Sequence, residues 1–204
     1  MKFDISGKNL TTLEGINFPD GITGLNCSRN SLTSLQYCPN SVTYLYCYDN
    51  LLTNLEYCPN SLTRLCCPNN SIISLEYCPD SVTYLNCSNN SLTSLEYCPN
   101  SVTELYCSNN SLTSLEYCPS SVTYLYYDNN PLSPEYLNKT IQQVHKINTV
   151  KSYKLGIFKL NSVMSCVKIQ RLWKKYWYDE LDINGINRYC KFALNQGQRD
   201  SIVI

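Results

Sequence analysis

Thirteen cysteines and a single histidine, His145, are the residues of this 204-residue chain best suited to chemistry. A thiol can act as nucleophile, metal ligand or disulfide partner, but the first role needs a nearby base and the second needs ligands in close groups. One histidine cannot supply templates that call for two. No glycine-rich phosphate loop, G-x-S-x-G turn or paired metal-ligand motif is present either. Glu180, Asp182, Asn184 and Gly185 imitate the opening of a calcium loop, yet its twelfth position is Lys191, where calcium requires a bidentate glutamate. The expectation is a non-enzymatic chain with no catalytic residue, no metal and no cofactor.

The cysteines are spaced for structure. Cys38, Cys58, Cys78, Cys98 and Cys118 recur every twenty residues, each followed by proline. In phase with them run Leu25, Leu45, Leu65, Leu85, Leu105 and Leu125, and then Asn30, Asn50, Asn70, Asn90, Asn110 and Asn130. The unit reads [IVL]TxLxCxxNxLTxLxYCPxS, and a fixed period of this length marks a repeat array. Residues 1–21 form a degenerate capping unit in which Phe3 and Ile5 take the strand positions. Residues 22–121 hold five full repeats, residues 122–132 a half-repeat, and residues 133–204 a basic, mainly helical segment. Atypical end units are expected because a stack otherwise exposes an apolar cross-section.

Alternation in VTYLYC predicts one short strand per repeat, with Val42, Leu45 and Cys47 inward and Tyr44 and Tyr46 outward. Successive parallel strands lie about 4.8 Å apart, so like residues form columns. The inward columns are Ile22/Val42/Leu62/Val82/Val102/Val122, the strand leucines, Leu32/Leu52/Ile72/Leu92/Leu112 and Leu35/Leu55/Leu75/Leu95/Leu115. Each asparagine is expected to pair backbone groups where the chain leaves the strand, so that Asn90→Ala costs about 1 to 3 kcal/mol. Neighbouring cysteines of one column come within disulfide range at about 4.8 Å, so distance alone does not exclude bridging. Their odd number and the lack of an export signal favour reduced, buried thiols. Cys67 should face inward and Cys66 outward, which makes Cys66 the first expected to react.

The half-unit LxxLxCxxNxL resembles the leucine-rich repeat, and LxYCPxS resembles the second half of its short bacterial-type form, LPxLPxxL. The wording PNSVTYLYCSNNSLTSLEYC is similar to leucine-rich-repeat proteins of giant amoeba-infecting viruses of the mimivirus type. Cysteine replaces the usual strand aliphatic, and Glu or Gln replaces the first proline. The resemblance covers about two-thirds of the chain. It implies an α/β fold, a leucine-rich-repeat solenoid with a parallel sheet on one concave face and short irregular convex segments, followed by a small helical C-terminal segment. It also implies a binding surface.

The outward positions vary from repeat to repeat while the core positions scarcely change. Tyr44, Arg64, Tyr84, Glu104 and Tyr124 form one column after Gly24; Tyr46, Cys66, Asn86, Tyr106 and Tyr126 form the next after Asn26, with Tyr48 on the rim. Rigid amphipathic rings among small polar groups suit a protein-binding face. Tyrosines also favour strands and stack on one another without a partner. The uniform column Tyr37, Tyr57, Tyr77, Tyr97 and Tyr117 suggests packing or stacking instead. Glu56, Glu76, Glu96 and Glu116 make either a solvated acidic edge or a row matched by something cationic.

Lysines and arginines equal acidic residues at 16 each, but residues 1–130 carry 4 basic against 11 acidic side chains and residues 131–204 carry 12 against 5. Ser133, Pro134 and Glu135 predict a helix start with Leu137, Ile141, Val144 and Ile147 on its apolar face. A second, basic amphipathic helix is expected over 161–178, with Lys168, Arg171, Trp173, Lys174 and Lys175 as a second contact. Such a helix can cap the last repeat or bind nucleic acid, an acidic surface or a calmodulin-like protein. Ile169, Gln170 and Lys174 begin an IQ-like motif, but Lys175 and Asp179 break it. No run is long and apolar enough for a transmembrane segment, and Met1 to Gly15 lacks the apolar core of a signal peptide. The expected protein is an intracellular monomer that is not secreted.

Overall fold

The computed structural model describes residues 1–159, with side chains to Ser152. The chain divides into two units, Met1–Asn148 and Thr149–Ile204. The expected helix over 161–178, and with it Lys168, Arg171, Trp173, Lys174 and Lys175, lies outside the described residues.

The first unit is built on seven three-residue strands. They are β1 (Lys2–Asp4), β2 (Gly24–Asn26), β3 (Tyr44–Tyr46), β4 (Arg64–Cys66), β5 (Tyr84–Asn86), β6 (Glu104–Tyr106) and β7 (Tyr124–Tyr126). They form one parallel sheet in sequence order. From β2 onward the register is a twenty-residue offset, so that Leu25, Leu45, Leu65, Leu85, Leu105 and Leu125 are successive Cα partners. In the first unit Phe3 pairs with Leu25, as its strand position requires. The two extra residues of that unit make its offset 22.

Each strand lends one inward side chain, too little for a core. The inward columns remedy this by stacking: Val42, Leu45, Leu62, Leu65, Val82, Leu85, Val102 and Leu105 are fully buried, as are Leu32 to Leu112 beneath them. Leu125, at the end of its column, is only partly covered.

Two further ladders hold the coils together. Thr43 Oγ1 donates to the Thr23 carbonyl at 3.0 Å, and Thr63, Thr83, Thr103 and Thr123 repeat the bond at 3.2 Å. Ser61, Ser81, Ser101 and Ser121 donate to the carbonyls of Val42, Leu62, Val82 and Val102 at 2.6–2.7 Å. Every buried side-chain nitrogen and oxygen among the described residues has a hydrogen-bond partner.

The C-terminal boundary differs from the sequence expectation. Pro134–Tyr136 forms a single 3-10 turn, and Ser133 makes no side-chain cap bond. Leu137 is extended and Asn138 is left-handed with φ 55°, which ends the turn. The helix α1 (Ile141–Lys159) starts later. Thr140 Oγ1 accepts from the Gln143 N–H while Gln143 Oε1 accepts from the Thr140 N–H, a reciprocal capping box. Leu137, expected on the apolar face, is exposed, and Tyr136 is buried in its place. Val144 is buried against the array, with Ile141 and Ile147 packed beside it. His145 Nε2 lies 2.8 Å from the Val122 carbonyl, and Asn148 Nδ2 donates to the Leu115 carbonyl at 2.7 Å. The one histidine therefore helps to close the last repeat.

Candidate functional site: the outward face of the sheet

Side chains at the two outer positions of each strand project away from the core, because the central leucine points in. The strand register makes Tyr44, Arg64, Tyr84, Glu104 and Tyr124 direct neighbours in one column, and Tyr46, Cys66, Asn86, Tyr106 and Tyr126 neighbours in the other. Tyr44, Tyr46, Tyr124, Tyr126 and Glu104 are exposed, while Arg64, Tyr84, Tyr106 and Tyr48 are half-buried.

Several of these side chains contact one another. Tyr106 and Tyr126 stack with centroids 4.9 Å apart and planes 6° from parallel. Tyr84 tilts against Tyr106 at 5.4 Å, and Tyr124 against Tyr126 at 5.3 Å. The Arg64 guanidinium carbon lies 3.6 Å from the Tyr84 ring centroid, a cation–π contact. Arg64 through Tyr126 is thus a pre-ordered aromatic platform. Tyr48 stands apart, 5.7 Å from Arg29. Partial burial pushes the Tyr84 hydroxyl up, an effect the Arg64 cation opposes.

The outward column ends at β2. Gly24 offers no side chain there, and Lys2 fills the space, its Cγ 3.1 Å from where a Cβ on Gly24 would stand.

The cysteines sort as the alternation demands. Cys27, Cys47, Cys67, Cys87 and Cys107 are fully buried, Cys66 is half-buried on the outward face, and all eleven described cysteines are free thiols. Burial pushes Cys27, Cys38, Cys78 and Cys118 up to about 12, and it raises Cys47, Cys58, Cys67 and Cys87 well above the ordinary thiol value. Burial raises Cys66 too, but Arg64 offsets part of that. No group of three or more metal-ligating side chains is placed to hold an ion among the described residues.

At slightly alkaline pH, Cys66 should therefore react with a maleimide at least tenfold faster than any other described thiol, since rate follows exposed thiolate. Because its pKa is raised, the rate should climb steeply with pH. Peptide mapping after brief labelling checks this; label appearing first on Cys87 or Cys107 would refute the inward placement of that column.

The column Tyr37, Tyr57, Tyr77, Tyr97 and Tyr117 is not packed or stacked as its uniformity suggested. Each ring is about half exposed, and none pairs with another ring among the described residues. The cause is local: these tyrosines top a turn whose inward places are taken by the preceding leucine and following cysteine. Glu56, Glu76 and Glu96 beside them are exposed, and no salt bridge of theirs occurs among the described residues.

The chain is similar to several solved structures. The leucine-rich-repeat domain of a Shigella effector matches at 27% identity and a TM-score of 0.55, over 74% of this chain and 74% of that one. The fold is a leucine-rich-repeat solenoid. YopM from Yersinia enterocolitica matches at 22% identity and TM-score 0.44, over 63% of this chain and 38% of that chain. The functional domain of InlJ from Listeria monocytogenes, described as including a cysteine ladder, matches at 23% identity and TM-score 0.40, over 54% and 35%. No protein-family model matches the chain, and no curated protein matches it. In this leucine-rich-repeat solenoid the repeats are twenty residues long, and no described helix is long and apolar enough to cross a membrane.

Proposed function

We propose that this leucine-rich-repeat protein is a non-enzymatic, intracellular scaffold that binds a host or viral protein through the outward strand face, using Tyr44, Tyr46, Tyr48, Arg64, Tyr84, Glu104, Tyr106, Tyr124 and Tyr126. The observation that carries this reading is the fixed, partly exposed ring cluster of Tyr84, Tyr106, Tyr124 and Tyr126 beside Arg64. Rings already held by one another lose little freedom on binding, so more of the contact area is realised as affinity. A viral origin is supported by the repeat wording alone, and the similar Shigella domain is described as that of an effector.

Replacing Tyr46 and Tyr106 by alanine together should weaken a partner captured from host-cell lysate by more than about 2 kcal/mol, or roughly thirtyfold, if they anchor the contact. Calorimetry with the recovered partner measures this, and unchanged affinity would remove the assignment. A second reading is favoured by the charge imbalance: residues 131–204 carry 12 basic and 5 acidic side chains and could attach to nucleic acid or an acidic surface. Salt separates the two, since a phosphate-directed contact weakens steeply with ionic strength and an aromatic one does not.

A further inference from the structure

We infer that the column Tyr44, Arg64, Tyr84, Glu104 and Tyr124 receives a polyproline II segment lying across the strands, with an acidic residue near Arg64 and a basic residue near Glu104. This rests on the strand face being the binding surface.

The argument is one of period. Tyrosine occupies every second strand of the column, on β3, β5 and β7, and the strand register aligns the three. Two strand spacings are about 9.6 Å. One turn of a polyproline II helix, three residues, rises about 9.3 Å. Residues n, n+3 and n+6 of such a segment therefore meet Tyr44, Tyr84 and Tyr124 with a drift of about 0.6 Å over the whole column. An extended strand presents one face every 6.7 Å or so, and an α-helix returns to the same face after seven residues, about 10.5 Å. The strand is out of step at the second ring, and the α-helix drifts by about 1.8 Å over the column, three times the polyproline II drift.

Polyproline II segments are recognised by aromatic-lined surfaces, because the pre-formed helix loses little entropy on docking. The three rings are suited to this. Tyr44 and Tyr124 are exposed, and Tyr84, half-buried, is held in place between Arg64 and Tyr106. A polyproline II backbone has no internal hydrogen bonds, so its carbonyls are open to donors. The Tyr44 hydroxyl has no hydrogen-bond partner among the described residues and is such a donor. The intervals carry opposite charges: Arg64 sits between the first two rings and Glu104 between the last two. Their order fixes which way the segment runs. Gly24 and the overlying Lys2 close the column at β2, so it reads two turns and no more.

The probe is the heptapeptide Pro-Glu-Pro-Pro-Arg-Pro-Pro carrying a fluorophore, titrated by anisotropy against the full chain, with an analogue in which alanine replaces every proline. The proline peptide should saturate and the alanine analogue should bind at least tenfold more weakly. Tyr84→Ala should weaken the proline peptide at least tenfold and Tyr84→Phe less than threefold. Glu104→Arg should weaken it tenfold and restore binding to Pro-Glu-Pro-Pro-Glu-Pro-Pro. Equal binding of the proline and alanine peptides, or none by either at millimolar concentration, would overturn the inference. If the peptide fails while Tyr46→Ala with Tyr106→Ala still abolishes capture of a protein partner, the face binds a partner of another form and only the polyproline assignment falls. If both fail, the strand-face reading falls as well.

Discussion

Replacing Asn110 by alanine is expected to lower the unfolding free energy by about 3 kcal/mol. Its Nδ2 donates to the carbonyls of Cys87 at 3.0 Å, Cys107 at 3.1 Å and Ser108 at 3.2 Å, and its Oδ1 accepts from the Leu92 N–H at 2.9 Å. One amide therefore ties its own turn to the coil before it, in a place water does not reach. Alanine leaves the buried Leu92 N–H without an acceptor and removes one of the two donors from each of the three carbonyls, which keep Asn90 Nδ2, Asn130 Nδ2 and the Asn89 N–H, so the loss is that of one orphaned donor plus three weakened bonds. For a unit of this size the melting temperature should fall by roughly 10 °C. Aspartate should not rescue it, because a carboxylate facing three carbonyls lacks the donors they need. Asn109→Ala is the matched comparison. That residue holds a left-handed φ of 53° and accepts one exposed bond from Asn129, so its loss should be about 1 kcal/mol, from backbone conformation. Equal melting shifts for Asn109 and Asn110 would show that the inner ladder is not structural.

Leu85→Ala should lower stability by about 4 kcal/mol, the cost of removing a fully buried side chain and leaving a cavity. Leu85 lies on the middle strands of the sheet, with Leu65 and Leu105 as its Cα partners, and neither neighbour can collapse into the gap without breaking the column. Leu125→Ala makes the same chemical change at the partly covered end of the column and should cost about 1 kcal/mol, chiefly the transfer term. Denaturant unfolding of both variants measures the gradient. A similar loss at the two positions would mean that burial does not come from stacking on both sides.

Columns were legible in the sequence because a twenty-residue period allows few other uses of leucine, cysteine and asparagine. The strand register, the inward thiols and the two-way bonding of the asparagine amide follow from that period and from alternation. Other features have no such signature. The left-handed positions Asn9, Arg29, Asp49, Asn69, Asn89, Asn109 and Asn129, with φ of 53–57°, explain why Asn or Asp so often precedes the buried asparagine. The pattern was present in the sequence but is easily absorbed into the asparagine column beside it. The Thr and Ser ladders were likewise visible as invariant letters without a stated purpose. Uniformity misled at Tyr37 to Tyr117: a repeated residue in a solenoid can be repeated on the outside as readily as in the core. Ser133, Pro134 and Glu135 carry the composition of a helix start, yet Thr140 and Gln143 make the cap, because only there does the following chain continue as helix. Ring packing among Tyr84, Tyr106, Tyr124 and Tyr126 depends on rotamers that spacing does not encode.

Parallel stacking at a fixed offset underlies every one of these expectations, and through-space methyl contacts in solution examine it directly. With leucine methyl groups labelled, Leu65 should show nuclear Overhauser contacts to Leu45 and Leu85, and Leu85 to Leu65 and Leu105, each pair separated by twenty residues. Contacts whose residue numbers instead keep a constant sum along the chain would mean antiparallel pairing and would contradict the account.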